Sequence, residues 1–458
     1  MSTRTEHDAL GPVKVPKDAI YGSFTVRAGT YFKISNQKIP PIFLKSLGIV
    51  KLAAAITNEK LKELPKAIAK PIQKAAKEYA DGKYIEDCPL DPFQAGAGTP
   101  INMNANEIIA NRANQILGKQ LGSYDPVHPN NHVNMAQSTN DVIPTVTKIA
   151  ALFTTKNLLE NLSKTISGFN SYVKKYSRQI KVGRTHLEDA VPMTVGQEFS
   201  AWRDMLKKDH KNISDLKKHL EELGIGGNAI GSGINAHPKF KKTIVEELKK
   251  LTKLNLKETE NTFETNQNLT SLLNFSAGLR SLATDLIKIS NDLKLLNMGP
   301  KAGITEIELP EVEPGSSIMP GKINPSIVEA MEMSCYQIIG NDHVISLGAQ
   351  RGQLQLNIFA PLIMFNLLWN IEIITNILEM FNKYCLKNIK VHEKRCQELF
   401  EKSLCVATAL CPRLGYHQTA MLVSEALKKN KTIRQIVLEK KLIPEKELNK
   451  ILSPEKLT

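Results

Sequence analysis

The chain has 458 residues, enough for two or three domains and a large core. Hydrophobic residues make up 42% and aromatics 6%, a balance that suits helices packed on aliphatic side chains better than a β-sandwich. The net charge of +14 comes from lysines interspersed with acids; it reads as a solvated surface whose field attracts dianions, not as a nucleic-acid stripe.

Six cysteines show no CxxC pair and no metal-ligand spacing, as expected of reduced, mostly buried thiols. No apolar run is expected to reach the roughly 18 residues that cross a membrane. The first residues lack the apolar core of a signal peptide, so a cytoplasmic location is expected.

Residues 1–140 read as a first domain. Glu6 to Gly22 is turn-rich and too broken for helix. Helical periodicity runs from Pro41 to about Asn58 and again from Pro65 to Asp81. A glycine-broken loop, Asp91 to Thr99, leads into Asn102-Met-Asn-Ala-Asn106. Asparagines are costly in helices, so these are expected to be kept for contacts or capping. The next polar cluster, His128-Pro-Asn-Asn131 through Gln137-Ser-Thr-Asn140, precedes a long helical run from Val142 to about Lys174. Pro144 is tolerated only in a first turn, which sets the helix start near Asn140. An ordinary N-cap explains Ser138, Thr139 and Asn140 as well as a ligand does.

A second domain, 141–390, is expected to be a bundle of long helices. Its third polar cluster, Gly183-Arg-Thr-His186 onward, lies between two long helical patterns; a histidine such as His186, taken alone, is more often a structural histidine than a catalytic one. Gly224 to Asn235 is glycine-dense without the spacing or preceding strand of a dinucleotide site. Helical patterns then cover about 239–252, 264–297, 325–340 and 352–387. Helices of this length expose apolar faces that one chain does not cover, which points to oligomerisation. Residues 391–458 read as a small third domain of short helices.

One loop stands apart: Glu313-Pro-Gly-Ser-Ser-Ile-Met-Pro-Gly-Lys-Ile-Asn-Pro325. Three prolines and two glycines forbid continuous helix, and Asn324-Pro325 starts the next one as N-cap and first residue. Small residues, Lys322 and the positive end of that helix suit a carboxylate.

Gly-Ser-Ser-Ile-Met-Pro-Gly-Lys-Ile-Asn-Pro resembles the signature of the fumarase/aspartase superfamily. Gly98-Thr99 with Asn102-Met-Asn, Gln137-Ser-Thr-Asn140 and Gly183-Arg-Thr-His186 match its other segments. The resemblance covers nearly the whole chain. It implies an all-α, three-domain lyase with a central bundle of long helices, tetrameric through a multi-helix core, with active sites built from three subunits. It implies a small dicarboxylate substrate and fumarate as product, with no cofactor, no metal, no nucleic acid and no membrane partner.

Carried over by motif, Ser316 is the general base for the C3 proton. Lys322 and Asn324 hold the adjacent carboxylate. Thr99, Ser138, Thr139, Asn140 and Thr185 meet the leaving-group end. His186 paired with Glu329 resembles the relay that holds the second carboxylate region or handles the leaving-group side. His128, Asn130 and Asn131 resemble a second carboxylate site, although a capped turn explains them equally well.

Gly96-Ala-Gly-Thr99 and Gln137-Ser-Thr-Asn140 resemble the aspartate ammonia-lyase branch, since class II fumarate hydratases usually carry Ser in place of Ala97 and Ser-Ser-Asn in the second motif. Arg184-Thr-His, Pro320-Gly-Lys and Glu329-Ala-Met fit the fumarase branch well. Pro100 departs from both. A lyase scaffold that has lost its chemistry has no physical need to keep Ser316, Lys322, Asn324 and His186 together.

Overall fold

In the computed structural model, which describes residues 2–457, the fold is all-α. Strands among these residues occur only as four two-stranded ladders. The chain divides into two compact units. The first holds the segments up to Leu158, Asn212–Ser281 and Tyr336–Ile374; the second holds Leu159–Lys211, Leu282–Cys335 and Thr375 to the end.

The turn-rich start is a β-hairpin in the first unit, Thr3–Asp8 paired antiparallel with Gly11–Pro16. Sequence patterning misses it because prolines interrupt the alternation; tertiary bonds supply the stability instead. Arg27 grips Asp8 through two N–H groups at 2.6 and 3.0 Å. Glu6 accepts from the Ser23 N–H (2.9 Å) and the Tyr124 hydroxyl (3.1 Å). The helices Pro41–Lys60 and Lys66–Ala80 follow, then Thr99–Ile116.

The asparagines of that third helix hold neighbouring loops. Asn111 donates to Ile20 O and accepts from Gly122 N–H, and Asn114 pairs both ways with Val127. Glu107, buried beside them, accepts three backbone N–H groups and the Thr25 hydroxyl at the start of the Ser23–Tyr31 helix.

The long helices are Thr139–Lys175, Val195–Leu220, Thr270–Asn297, Ser326–Ala349 and Ala360–Met380. The first starts one residue from the position Pro144 dictates. The fourth runs nine residues past the expected end at Gly340. The second unit packs around Phe169, Phe199, Trp202 and Phe381, with Phe199 and Trp202 edge-to-face at 4.8 Å. Trp202 Nε1 donates to Asp292 at 3.0 Å, which satisfies the one polar atom of a buried ring.

The region Gly183–Phe199 is not a plain interhelical loop. Ile180–Thr185 and Glu188–Thr194 form an antiparallel hairpin with a bulge between Val182 and Arg184. Gly183 sits in the bulge, where a Cβ would lie 2.7 Å from Val191 O. Ile180 and Val182 belong to one apolar cluster with Phe400, Leu410, Leu422, Ile436 and Leu448 of the C-terminal helices.

The expectation about apolar runs needs correcting. Pro41–Lys60 and Ala360–Asn388 are both long and apolar enough to cross a membrane. Their most apolar windows are 72% and 61% buried within the chain, which is how a core helix comes to be apolar on most of its faces.

Candidate functional site

In the first unit, the expected residues gather where two helices begin. Ala97 and Gly98 both have positive φ (59° and 89°), and the turn they make directs Thr99 into its helix. Gly98 packs where a Cβ would be 3.2 Å from Ile143 and 3.3 Å from Pro361, so the Thr99 start lies against the Thr139 helix. Thr99 is half-buried and Pro100 is buried as the second residue of the helix.

The Thr139–Lys175 start is held from several sides. Asn140 N–H donates to Ser138 Oγ (3.2 Å), and Ser138 N–H donates to Asp141 Oδ1 (3.0 Å). Asp141 is buried and its other oxygen accepts N–H groups of Gly226 and Asn228 at 3.0 and 2.8 Å. The glycine-dense segment is therefore a carboxylate-capped turn. Burial pushes Asp141 up to about 6, against the pull of these N–H groups and of Lys51. Asn140 Nδ2 donates to Ala229 O at 2.7 Å. Asn102 Nδ2 joins Thr139 Oγ1 at 3.2 Å. Lys51, fully buried, donates to Asn134 and Gln137; desolvation brings it down to about 7 and the field of Asp141 opposes this.

Nearby, His128 caps its own turn. Its Nδ1 accepts the N–H groups of Asn130 and Asn131 at 3.2 Å each. His128 is half-buried, and desolvation lowers its pKa. A separate cleft of about 810 Å³, bounded by Phe32, Lys38, Ile85, Asp91, Phe365 and Trp369, contains none of the expected residues.

In the second unit, Thr185 and His186 lie at the tip of the hairpin, both exposed. His186 and Leu187 form its two-residue turn with φ of 57° and 63°. Such turns favour Asn-Gly; bulky L-residues there carry strain, which gathers at functional positions. Beneath the tip lies a buried charge cluster. Lys181 Nζ is 2.7 Å from Glu198 and 2.8 Å from Glu306, and Arg184 reaches Glu306 at 3.1 Å. Burial works against the charge on Lys181, but the two carboxylates outweigh it and raise its pKa.

The signature segment closes on itself: Ser316 N–H donates to Lys322 O at 3.0 Å. Gly315 is obligatory there, because a Cβ would overlap the Lys322 carbonyl oxygen at 1.3 Å. Ser316 Oγ accepts the N–H groups of Ile318 and Met319 at 3.3 and 3.2 Å. Two such donors stabilise negative charge on that oxygen. Lys322 Nζ donates to Asn324 Oδ1 at 2.5 Å. The Asn324 side chain thus binds Lys322, and the helix begins two residues later, at Ser326, with Pro325 O accepting the N–H groups of Val328 and Glu329.

Glu329 and His186 are both exposed, and no hydrogen bond or ion pair between them is seen among the described residues. Ser316, Lys322 and Asn324 form one group within this unit, and Thr185 and His186 another.

Sequence reasoning missed Lys51, Asn134, Asp141 and the Lys181–Glu198–Glu306 cluster. Lys51 carried a signal: it falls in phase with Leu47 and Ala55 on the apolar face of its helix. The acidic partners of Lys181 are 17 and 125 residues away and had none.

A lyase family model matches residues 11–340, and a model of the fumarase C C-terminus matches residues 406–458. The chain is 42% identical over 455 residues to an aspartate ammonia-lyase of Bacillus subtilis (strain 168), covering 99% of this chain and 96% of that one. It is 39% identical over 458 residues to fumarate hydratase class II 2 of Bradyrhizobium diazoefficiens, covering 100% and 97%. The class II fumarase structure from Schistosoma mansoni superposes with a TM-score of 0.96 at 35% identity, over 100% of this chain and 99% of that one.

Proposed function

Because the chain belongs to the fumarase/aspartase family of lyases and is an enzyme of that family, we propose that it eliminates ammonia reversibly from L-aspartate to give fumarate. We place it in the cytoplasm as a homotetramer with sites shared between subunits. The observation that carries the choice of leaving group is the corner formed by Ala97, Thr99 and Ser138–Asn140. Position 97 is a buried methyl group where the hydratases usually have a hydroxyl. The oxygens of Thr99, Ser138 and Thr139 supply acceptors for an ammonium, which is a donor only.

In this reading Ser316, as the alkoxide, takes the C3 proton. The N–H groups of Ile318 and Met319 stabilise that alkoxide, and a positioned base of this kind contributes about 10²–10⁴ in rate. The electron pair left at C3 spreads onto the adjacent carboxylate as an enediolate-like dianion. Lys322, Asn324 and the helix start at Ser326 offset its charge. The pair then forms the C2–C3 double bond as the C2–N bond breaks, and ammonia departs with the bonding electrons. Thr185, His186 and Glu329 hold the leaving-group side.

A second reading is supported by the hydratases at about 40% identity: the same steps acting on L-malate with water as leaving group. Ultraviolet absorbance of fumarate formed from L-aspartate and from L-malate, in separate cuvettes, decides between them. Signal from aspartate alone is expected. Signal from malate alone overturns the reading of Ala97 and Thr139, and silence from both brings forward an inactive scaffold.

A further inference from the structure

Lys51 is buried on the Pro41–Lys60 helix, and no step above uses it. An ammonium can only donate. Its Nζ lies 3.0 Å from both Asn134 Oδ1 and Gln137 Oε1, so both oxygens must face it. The Asn134 amide nitrogen is then turned to Gln137 O (3.2 Å), and that of Gln137 to the carbonyls of Val133 and Met135. The constraint travels further. Asn134 Oδ1 also meets Asn102, which therefore has to present its nitrogen there, at 3.2 Å. That same nitrogen donates to Thr139 Oγ1 at 3.2 Å. One lone pair of the Thr139 hydroxyl is thus taken, and its hydrogen must point away from Asn102. Asn102 Oδ1, 1% exposed as a residue, is left as a buried acceptor with no partner.

We infer that Lys51 is a positioning residue that sets the donor–acceptor sense of Asn134, Asn102 and the Thr139 hydroxyl. Through them it sets how the Ser138–Asn140 helix start meets a dicarboxylate. The inference rests on the reading that Thr139 touches substrate. With the lysine in place, the Thr139 oxygen keeps its second lone pair for an ammonium and turns its hydrogen away from Asn102, and Asn102 Oδ1 remains an open acceptor. Without it, the bond from Asn134 Nδ2 to Gln137 O still favours the same sense but no longer has the lysine's charge-assisted bond beside it; a turn of Asn134 lets Asn102 turn as well, which exchanges donors for acceptors at the corner that holds the leaving group.

The test is a double-mutant cycle on the full chain. It is read as KM and kcat for whichever of L-aspartate or L-malate the parent turns over, and as the dissociation constant of succinate, a dicarboxylate that does not react. Lys51→Met keeps the buried stem and removes the donor. Succinate binding and KM should weaken about tenfold, with kcat moved less, the size of one polar contact. Thr139→Val removes the hydroxyl through which Lys51 is inferred to act. Adding Lys51→Met to it should then cost little more, whereas a lysine that only supports the fold costs the same in both backgrounds.

Asn134→Leu cuts the same chain at a half-buried position and should reproduce the loss, which keeps the test open if Lys51→Met fails to fold. Additive losses, or unchanged succinate affinity in the single variants, overturn the inference. A parent that binds succinate yet turns over neither substrate sinks the lyase reading alone, and the succinate cycle still decides Lys51. A parent that binds no succinate overturns both.

Discussion

His186 and Leu187 show at the scale of one residue what the hairpin gives up. Both central positions of the turn have positive φ, a conformation that costs an L-residue roughly 1–2 kcal/mol. Leu187 is 72% exposed, so packing does not explain its presence there. Leu187→Gly should raise the urea midpoint, by about 1 kcal/mol in stability, since glycine accepts this φ freely and little apolar contact is lost. An unchanged or lower midpoint would mean that the turn is not strained. Ser316 differs in kind: its backbone is ordinary, but its hydroxyl oxygen is the acceptor for two N–H groups. No property of the residue in isolation announces that.

Among the elements, charge pairs fix helices and strands that hydrophobic patterning leaves free to slide. Glu78, near the end of Lys66–Ala80, is held by Arg112 of Thr99–Ile116 at 2.7 and 3.0 Å, and by the Tyr84 hydroxyl. The Arg112 bond, followed by bonds from Tyr84 and Lys83, holds Glu78 down to about 2 although partial burial opposes it. A carboxyl whose folded pKa is depressed stabilises the fold above its unfolded pKa, near 4.3, and loses that contribution as pH falls toward 2. Glu78→Gln should therefore cost about 1 kcal/mol at pH 7, partial exposure having weakened the pair. The difference from the parent should shrink between pH 4.5 and 2 in thermal unfolding. A gap that is the same at pH 7 and pH 3 would remove the ion pair as its cause. The Lys181–Glu198–Glu306 cluster does similar work deeper in the chain, tying a strand to two other segments. Lys181 and Glu306 are buried, Glu198 is half-buried, and the charges compensate one another, so they specify the hairpin's place more than they add stability.

For the whole molecule, Ser316, Lys322, His186 and Glu329 lie at or near the surface of a single chain, and Ile318 is 82% exposed. If each site draws on several subunits, Ser316→Ala and Asn140→Ala should each abolish turnover and leave the assembly intact by gel filtration. Unfolding the two together and refolding them as a mixture should then restore part of the activity, because some sites receive an intact Ser316 from one chain and an intact Asn140 from another. A mixture as inactive as its components would place each site within one chain.

The sequence by itself determined the helices with strong periodicity or proline-set starts, such as Pro41–Lys60 and Thr139–Lys175, because those signals act within a few turns of backbone. It also determined the superfamily, because eleven consecutive residues of the signature loop match its motif on a single segment. Two hairpins escaped it: Pro12 and Pro16 in one, and a bulge at Gly183 in the other, break the two-residue alternation, and both depend on partners far along the chain. Tertiary structure alone decided what the buried polar groups are for. Asn111 and Asn114 latch loops, Asp141 caps a glycine turn, and Lys51 orients an amide chain toward Thr139. A buried donor or acceptor is specified by what stands within about 3 Å of it, and that distance is set by the fold and not by spacing along the chain.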